Sequence, residues 1–439
     1  MVFVLPQSDF QTRVAIQIAS VVPDLNPTRT RVRMKAVTGR RATQKPSICT
    51  ADELHFVHVP NSNWRLALWR YTPSPQATRR IHPLLLLSGL GTNAIGYDLA
   101  PDSSFARYMC NQGFDTWILE LRGAGLSAEH NLREAKQPLI TASDPLDSTP
   151  NHETNDASFI VSHFVGLQER FSTSIEDFQK QIDLVLKYSW DFDHYLEEDV
   201  PAAMEYIRTQ CRPNDGKLLA IGHSMGGILL YATLSQNGNE GKNSWLASVV
   251  TLGASLDYTT SRSSLKLLLP LVDPAQALNV PVIPLGALLA ALYPVASRPP
   301  YFLSWLKSQV SAQNNMHPEL LEKLMLNNFC TVPAKLLLQL RTAFQKGGLC
   351  DRNGTFFYKD HLKKSNIPVL ALAGDRDLIC PPEAVYETIK MIPNHSASFK
   401  VFGEPSGPHY AHYDLVGGRL ASHQVYPCVV EFLSRHDQA

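Results

Sequence analysis

The chain is predicted to be an α/β protein, a doubly wound and mostly parallel sheet with helices on both faces and one large insertion. Three observations carry that prediction. Short, wholly apolar runs recur along the sequence, at Leu84 to Leu87, Trp117 to Leu119, Leu218 to Ile221 and Val369 to Ala373, as expected of strands covered on both faces. Strand signals alternate with helical ones instead of clustering, which is the pattern of parallel strands joined by crossover helices. One of the apolar runs ends in Gly222-His223-Ser224-Met225-Gly226 and passes at once into helix-forming residues, Ile228 to Leu234. That strand–turn–helix order is the context of a nucleophile elbow, in which a sharp turn lifts one side chain clear of the backbone.

The elements follow in order. Leu54 to Val59 is rich in aromatic and β-branched residues and stops at Pro60, while Trp64 to Tyr71 follows an Asn61-Ser62-Asn63 turn. Together they read as a hairpin. Leu84 to Leu87 is a buried strand ended by Ser88-Gly89-Leu90-Gly91, Phe105 to Cys110 is helical up to Gly113, and Trp117 to Leu119 is the next strand. Residues 128–170 are polar and broken by Pro138, Pro145 and Pro150, an excursion over the surface. Thr173 and Glu176 form a capping box ahead of a helix whose Ile175, Phe178, Ile182 and Val185 share one face. Asp199 with Pro201 is expected to open a helix through Met204 and Ile207. After the elbow, Ala247 to Leu252 is another strand. Residues 259–365 then interrupt the alternation, apolar and proline-broken in the first half, polar and helical in the second. It resumes with a strand at Val369 to Ala373, a helix at Glu383 to Met391 and a strand at Ser398 to Phe402. Asp414 to Ser434 is a closing helical segment that Pro427 is expected to kink or split.

Composition sets bounds on function. Of 439 residues, 44% are hydrophobic and 18% charged, ample for a large core, and the formal net charge is +0. Nothing in that balance favours nucleic acid. The charge is uneven, however: residues 1–50 carry eight basic side chains against Asp9 and Asp24. This Ser-, Thr- and Arg-rich leader reads as an organelle transit peptide and linker preceding a domain at 51–439, with Val32 to Val37 similar to a plastid processing site. Seven scattered cysteines form neither a disulfide framework nor a zinc pattern, which fits a reducing compartment. No stretch of about 18 apolar residues is present to cross a bilayer.

The candidate chemistry centres on Ser224. A serine hydroxyl is a weak nucleophile until a base takes its proton, and the base needs an orienting acid. In such a sheet the chain order is serine, acid, histidine. The acid is expected just past the first strand after the insertion, where Gly374-Asp375-Arg376-Asp377 stands. Asp377 is preferred over Asp375 because it lies further beyond the strand end, where a loop can turn it inward. Asp375 is then a turn or surface carboxylate paired with Arg376. One helix and one strand later, Gly407 to Asp414 offers His409 and His412; His412, followed by Asp414 as an N-cap, is the preferred base. His223 reads as a packing or solvated residue. Attack on a carbonyl also requires donors for the oxyanion. The expected pair is the backbone N–H of Met225 and that of Leu90, in a loop that Gly89 and Gly91 let approach the substrate.

On Gly222-His-Ser-Met-Gly226, Gly374-Asp-Arg-Asp377 and His412-Tyr-Asp414, the chain resembles the α/β-hydrolase superfamily from about residue 54 onward. Leu119-Glu-Leu-Arg122-Gly-Ala-Gly125-Leu-Ser127 is similar to that family's structural Asp-x-Arg-Gly-x-Gly-x-Ser segment, with Glu120 in place of the aspartate. Ser88 is a departure, since many members have histidine there. The likeness is greatest to plant members with a long N-terminal extension, which implies a chloroplast protein. The implied activity is hydrolysis of a carboxylic ester without metal or organic cofactor. An acyltransferase on the same triad and a non-catalytic ligand-binding relative are the alternatives. The insertion at 259–365, uncharged and rich in Leu, Val and Ala from Pro274 to Ser297, is expected to form a lid. Such a lid would wall an apolar or lipid-like acyl chain and touch a membrane surface peripherally.

Overall fold

The computed structural model describes residues 46–129, 187–271, 281–297 and 305–438. These fall in one compact unit, Lys45–Ala439. Residues 1–45 of the leader, the polar stretch from residue 130 to 170, the capping box at Thr173 and Pro274 lie outside the described residues.

The predicted α/β architecture is observed. Strands β1 (Glu53–His58) and β2 (Trp64–Tyr71) form the expected hairpin, followed by β3 (Leu84–Leu87), β4 (Thr116–Glu120) and the short β5 (Ala128–Glu129). After them come β6 (Leu218–His223), β7 (Leu246–Leu252), a separate pair β8 (Val282–Ile283) and β9 (Val332–Pro333), then β10 (Val369–Gly374) and β11 (Ala397–Phe402). The main sheet runs β1-β2-β4-β3-β6-β7-β10-β11, with β5 beside β2. β1, β2 and β4 pair antiparallel, and every pairing from β4 to β11 is parallel.

Period-two alternation explains why the central strands are continuously apolar. Leu85, Leu87, Trp117, Leu119 and Ala220 join one buried cluster, and Leu84, Leu86, Ile118, Leu219 and Ile221 the other. Each strand therefore supplies two cores, and each buried leucine contributes about 1.5–3 kcal/mol. β11, at the sheet's edge, is partly buried or exposed from Ala397 to Val401 and buried only at Phe402.

Three local expectations are corrected. The helix after Asp199 forms, at Val200–Cys211, but Asp199 caps nothing. Its carboxylate accepts from the Arg122 backbone N–H and guanidinium at 2.6–2.9 Å, a buried pairing that competes for the same oxygens. The closing segment breaks at Gly418, between Asp414–Gly417 and Ala421–Arg435, and the second helix runs through Pro427. Asp414 is not an N-cap either. It lies inside the first helical turn, and its carboxylate points back to Ala411 N–H and outward to the insertion.

Candidate active site

The elbow forms as its glycines dictate. A Cβ on Gly222 would come within 2.4 Å of the Gly226 backbone, and one on Gly226 within 2.1 Å of the Leu87 carbonyl. β6 can thus turn directly into the helix Met225–Glu240 only with hydrogen at both positions. Ser224 absorbs the turn at φ 54°, ψ −123°, a strained conformation for a residue with a side chain. Its N–H donates to Leu252 O at 2.9 Å, tying the elbow to the end of β7.

Asp377 and His412 come together as expected. Asp377 is 2% exposed, and its Oδ2 accepts from His412 Nδ1–H at 2.7 Å. Its other oxygen accepts from Ile379 and Cys380 N–H at 2.9 and 2.8 Å, so the carboxylate cannot swing away. Donation from Nδ1 leaves His412 Nε2 unprotonated and able to accept. Gly253, at φ 55°, floors the pair: a Cβ there would lie 2.9 Å from Asp377 Oδ2 and 3.0 Å from His412 Nδ1. Because Gly253 directly follows Leu252, the residue that holds Ser224 N–H, one strand end sets the serine and the pair side by side. Among the described residues the His412 ring is hydrogen-bonded through Nδ1 only, and the Ser224 hydroxyl has no partner. Resting sites commonly keep this contact open until substrate arrives.

The loop after β3 reaches the serine from the other side. A Cβ on Gly89 would sit 3.3 Å from Ser224 Cβ and 3.7 Å from its Oγ. Leu90, half-buried, and Met225, buried, follow Gly89 and Ser224 respectively, and among the described residues neither N–H is spent on a backbone hydrogen bond. Ser88, the departure from the family pattern, is buried with its hydroxyl unpartnered.

Asp375 does not reach the site. It pairs with His409 Nδ1 at 2.5 Å, accepts from Tyr410 N–H at 2.9 Å and makes the expected ion pair with Arg376, a loose one at 3.8 Å. The Glu120 segment is structural: burial raises its pKa, and the carboxylate accepts from Ala94 and Leu126 N–H at 3.0 and 2.7 Å.

The insertion is stitched to three loops of the site. Ser263 and Ser264 bond to Ile379 O and Leu378 O beside Asp377. Val310 O accepts from Tyr413 N–H, and Asp414 accepts from Ser311 Oγ and Ala312 N–H at 2.6 and 2.7 Å, beside His412. Cys330 N–H donates to Gly91 O at 2.6 Å and Asn93 N–H to Asn328 O at 3.0 Å, beside Leu90. Sequence reasoning missed these contacts, and it missed Gly253, whose place at the end of a predicted strand was the available signal. No helix among the described residues is long and apolar enough to cross a membrane.

Residues 82–414 match the family model described as the alpha/beta hydrolase fold, and the chain belongs to that family. Among solved structures it is similar to a soluble variant of monoglyceride lipase from Saccharomyces cerevisiae, determined with a substrate analogue. Identity there is 14%, covering 90% of this chain and 99% of that one, with a TM-score of 0.54. It is also similar to the monoacylglycerol lipase of Paleococcus ferrophilus, at 14% identity over 84% and 99% of the two chains and a TM-score of 0.47. No curated protein sequence matches the chain.

Proposed function

We propose that the chain is a serine hydrolase that cleaves a carboxylic ester with an apolar, lipid-like acyl group. The observation that carries this reading is the buried Asp377–His412 bond set beside a strained serine at a strand–helix elbow. In the proposed reaction His412 Nε2 takes the Ser224 proton as Oγ bonds to the ester carbonyl carbon. The oxyanion lies against the N–H groups of Leu90 and Met225. His412 returns the proton to the departing alcohol, leaving an acyl-serine. Water, deprotonated by the same imidazole, then releases the acid and restores Ser224.

The insertion supports the acyl preference. Its helix Leu285–Ser297 carries no charged side chain, and Leu289 and Tyr293 pack on the core while Leu292 is exposed. Leu267 and Trp305, 78% and 50% exposed, add further apolar surface to the insertion. Peripheral contact of this lid with a membrane belongs to the same proposal, and pelleting with phosphatidylcholine vesicles, lost in Leu267→Asp/Trp305→Asp, tests it. The leader's composition supports plastid import; a fusion of residues 1–35 to a fluorescent protein that stayed cytosolic would refute that.

The test of the substrate class is a series of p-nitrophenyl esters from acetate to dodecanoate. Each methylene buried in an apolar wall adds about 0.8 kcal/mol of binding, so kcat/KM should climb with chain length through the medium range. Leu288→Asp/Leu292→Asp should flatten the series while Ser224 still reacts with a small fluorophosphonate. A wild type that hydrolyses acetate best, unchanged by the double substitution, would contradict the acyl reading.

A further inference from the structure

The residue before Ser224 makes a set of buried contacts that packing alone does not require. His223 closes β6 and is 3% exposed. Its Nε2–H donates to the main-chain carbonyl of His412 at 3.0 Å. The two imidazoles lie 4.6 Å apart between ring centres, and the Tyr413 ring lies 4.7 Å from that of His223. Neutral imidazole carries one donor and one acceptor nitrogen, so donation from Nε2 leaves Nδ1 as the acceptor. The ring borders a small buried cavity shared with Ser88, Thr92 and Tyr97, where the Ser88 hydroxyl is itself unpartnered. Burial, and then the neighbouring His412, push the His223 pKa well below the usual histidine value.

We infer that His223 is a positioning residue, holding the proposed base His412 by its backbone carbonyl so that the imidazole stays between Asp377 and Ser224. The inference rests on the reading of Ser224 and His412 given above. His412 lies in no helix or strand, so its main chain is fixed by neighbours: Tyr413 N–H on Val310 O, Ala411 N–H on Asp414, and its own carbonyl on His223. Of these, only the His223 contact comes from the strand that bears the nucleophile. It ties base and nucleophile to one strand, by a link that does not pass through the insertion. An apolar side chain would fill the space under the loop but could not hold the carbonyl. Displacement of a reacting group by about 1 Å is enough to cost about a hundredfold in rate.

The test compares His223→Phe, which keeps a ring and removes the donor, with His223→Gln, whose amide N–H can stand where Nε2–H stands. Activity on a medium-chain ester is normalised to sites titrated by fluorophosphonate, so that misfolded protein does not count. For His223→Phe, kcat per site should fall about 10- to 100-fold with KM nearly unchanged. His223→Gln should recover most of kcat. Equal impairment of both variants, or a His223→Phe enzyme with wild-type kcat per site, would overturn the inference. Nitrogen-15 shifts of the wild-type ring give a reading independent of activity, and an Nδ1–H tautomer would also overturn it. A wild type that neither labels at Ser224 nor cleaves esters would instead refute the functional reading, leaving the tautomer result to stand or fall separately.

Discussion

Two loops at the same edge of the sheet carry two imidazole–carboxylate pairs. Asp375 meets His409 at 2.5 Å, and Asp377 meets His412 at 2.7 Å. By residue type and distance they are nearly the same object. They differ in their surroundings: the side chains of the inner pair are 3% and 0% exposed, those of the outer pair 33% and 23%. The inner carboxylate also has its second oxygen locked by two backbone N–H groups from its own loop, while the outer one accepts a single backbone N–H, from Tyr410. A charge pair in water is screened and contributes little; one in a dry, fully bonded setting fixes a tautomer and an orientation. The outer pair joins the acid loop to the histidine loop from outside. The proposed mechanism draws on the inner pair.

The sharpest way to break this comparison is to blunt each carboxylate in turn. Asp377→Asn keeps the shape but can present an N–H to His412, favouring the wrong tautomer. Turnover of a medium-chain ester should fall about a thousand- to ten-thousand-fold, with KM changed far less.

Next in size is the seal around the inner pair. Asp414 ties Ala411, beside His412, to Ser311 and Ala312 of the insertion, and burial pushes its carboxyl from 3.8 up to about 6. A carboxyl with a raised folded-state pKa ionises in the unfolded chain first. Its contribution to stability is therefore whole below about pH 4, falls as pH rises to about 6, and is level above that. The total swing is about 3 kcal/mol. Thermal melts of wild type and Asp414→Asn between pH 4 and 7 should show the wild type losing its advantage across that window. A difference that is flat with pH would contradict the burial of this group.

The smallest effect belongs to the outer pair. Asp375→Asn keeps an oxygen for Tyr410 N–H, so it should change turnover by no more than a few-fold and stability by less than about 1 kcal/mol. If it rivalled Asp377→Asn, the division between inner and outer pairs would be wrong.

What the sequence showed and hid follows from the range of the interactions. The central strands β3, β4, β6, β7 and β10 were legible because burial on both faces writes a continuous apolar run, and the elbow because close backbone approach admits only glycine at Gly222 and Gly226. The preference for Asp377 over Asp375 was legible from its distance past the strand end. The partner of Asp375 was not, since it depends on the path of a loop some thirty residues later. Asp199 and Asp414 were misread as helix caps because a local rule was applied to carboxylates whose partners, Arg122 and Ser311, are about 77 and 103 positions away. Pro427 does not split its helix, whose Val425, Val429 and Phe432 pack in the core. The stitching of the insertion to the site runs largely through backbone groups, which no residue type announces.

The central claim is that Ser224 is a nucleophile activated by the inner pair alone. The direct measurement is the rate of fluorophosphonate labelling, with the modified residue located by peptide mass spectrometry, in wild type, Ser224→Ala, Asp377→Asn and Asp375→Asn. The account predicts rapid modification at Ser224 only, none in Ser224→Ala, strong slowing in Asp377→Asn and a near wild-type rate in Asp375→Asn. Labelling that survives Ser224→Ala, or that ignores Asp377→Asn, would contradict it.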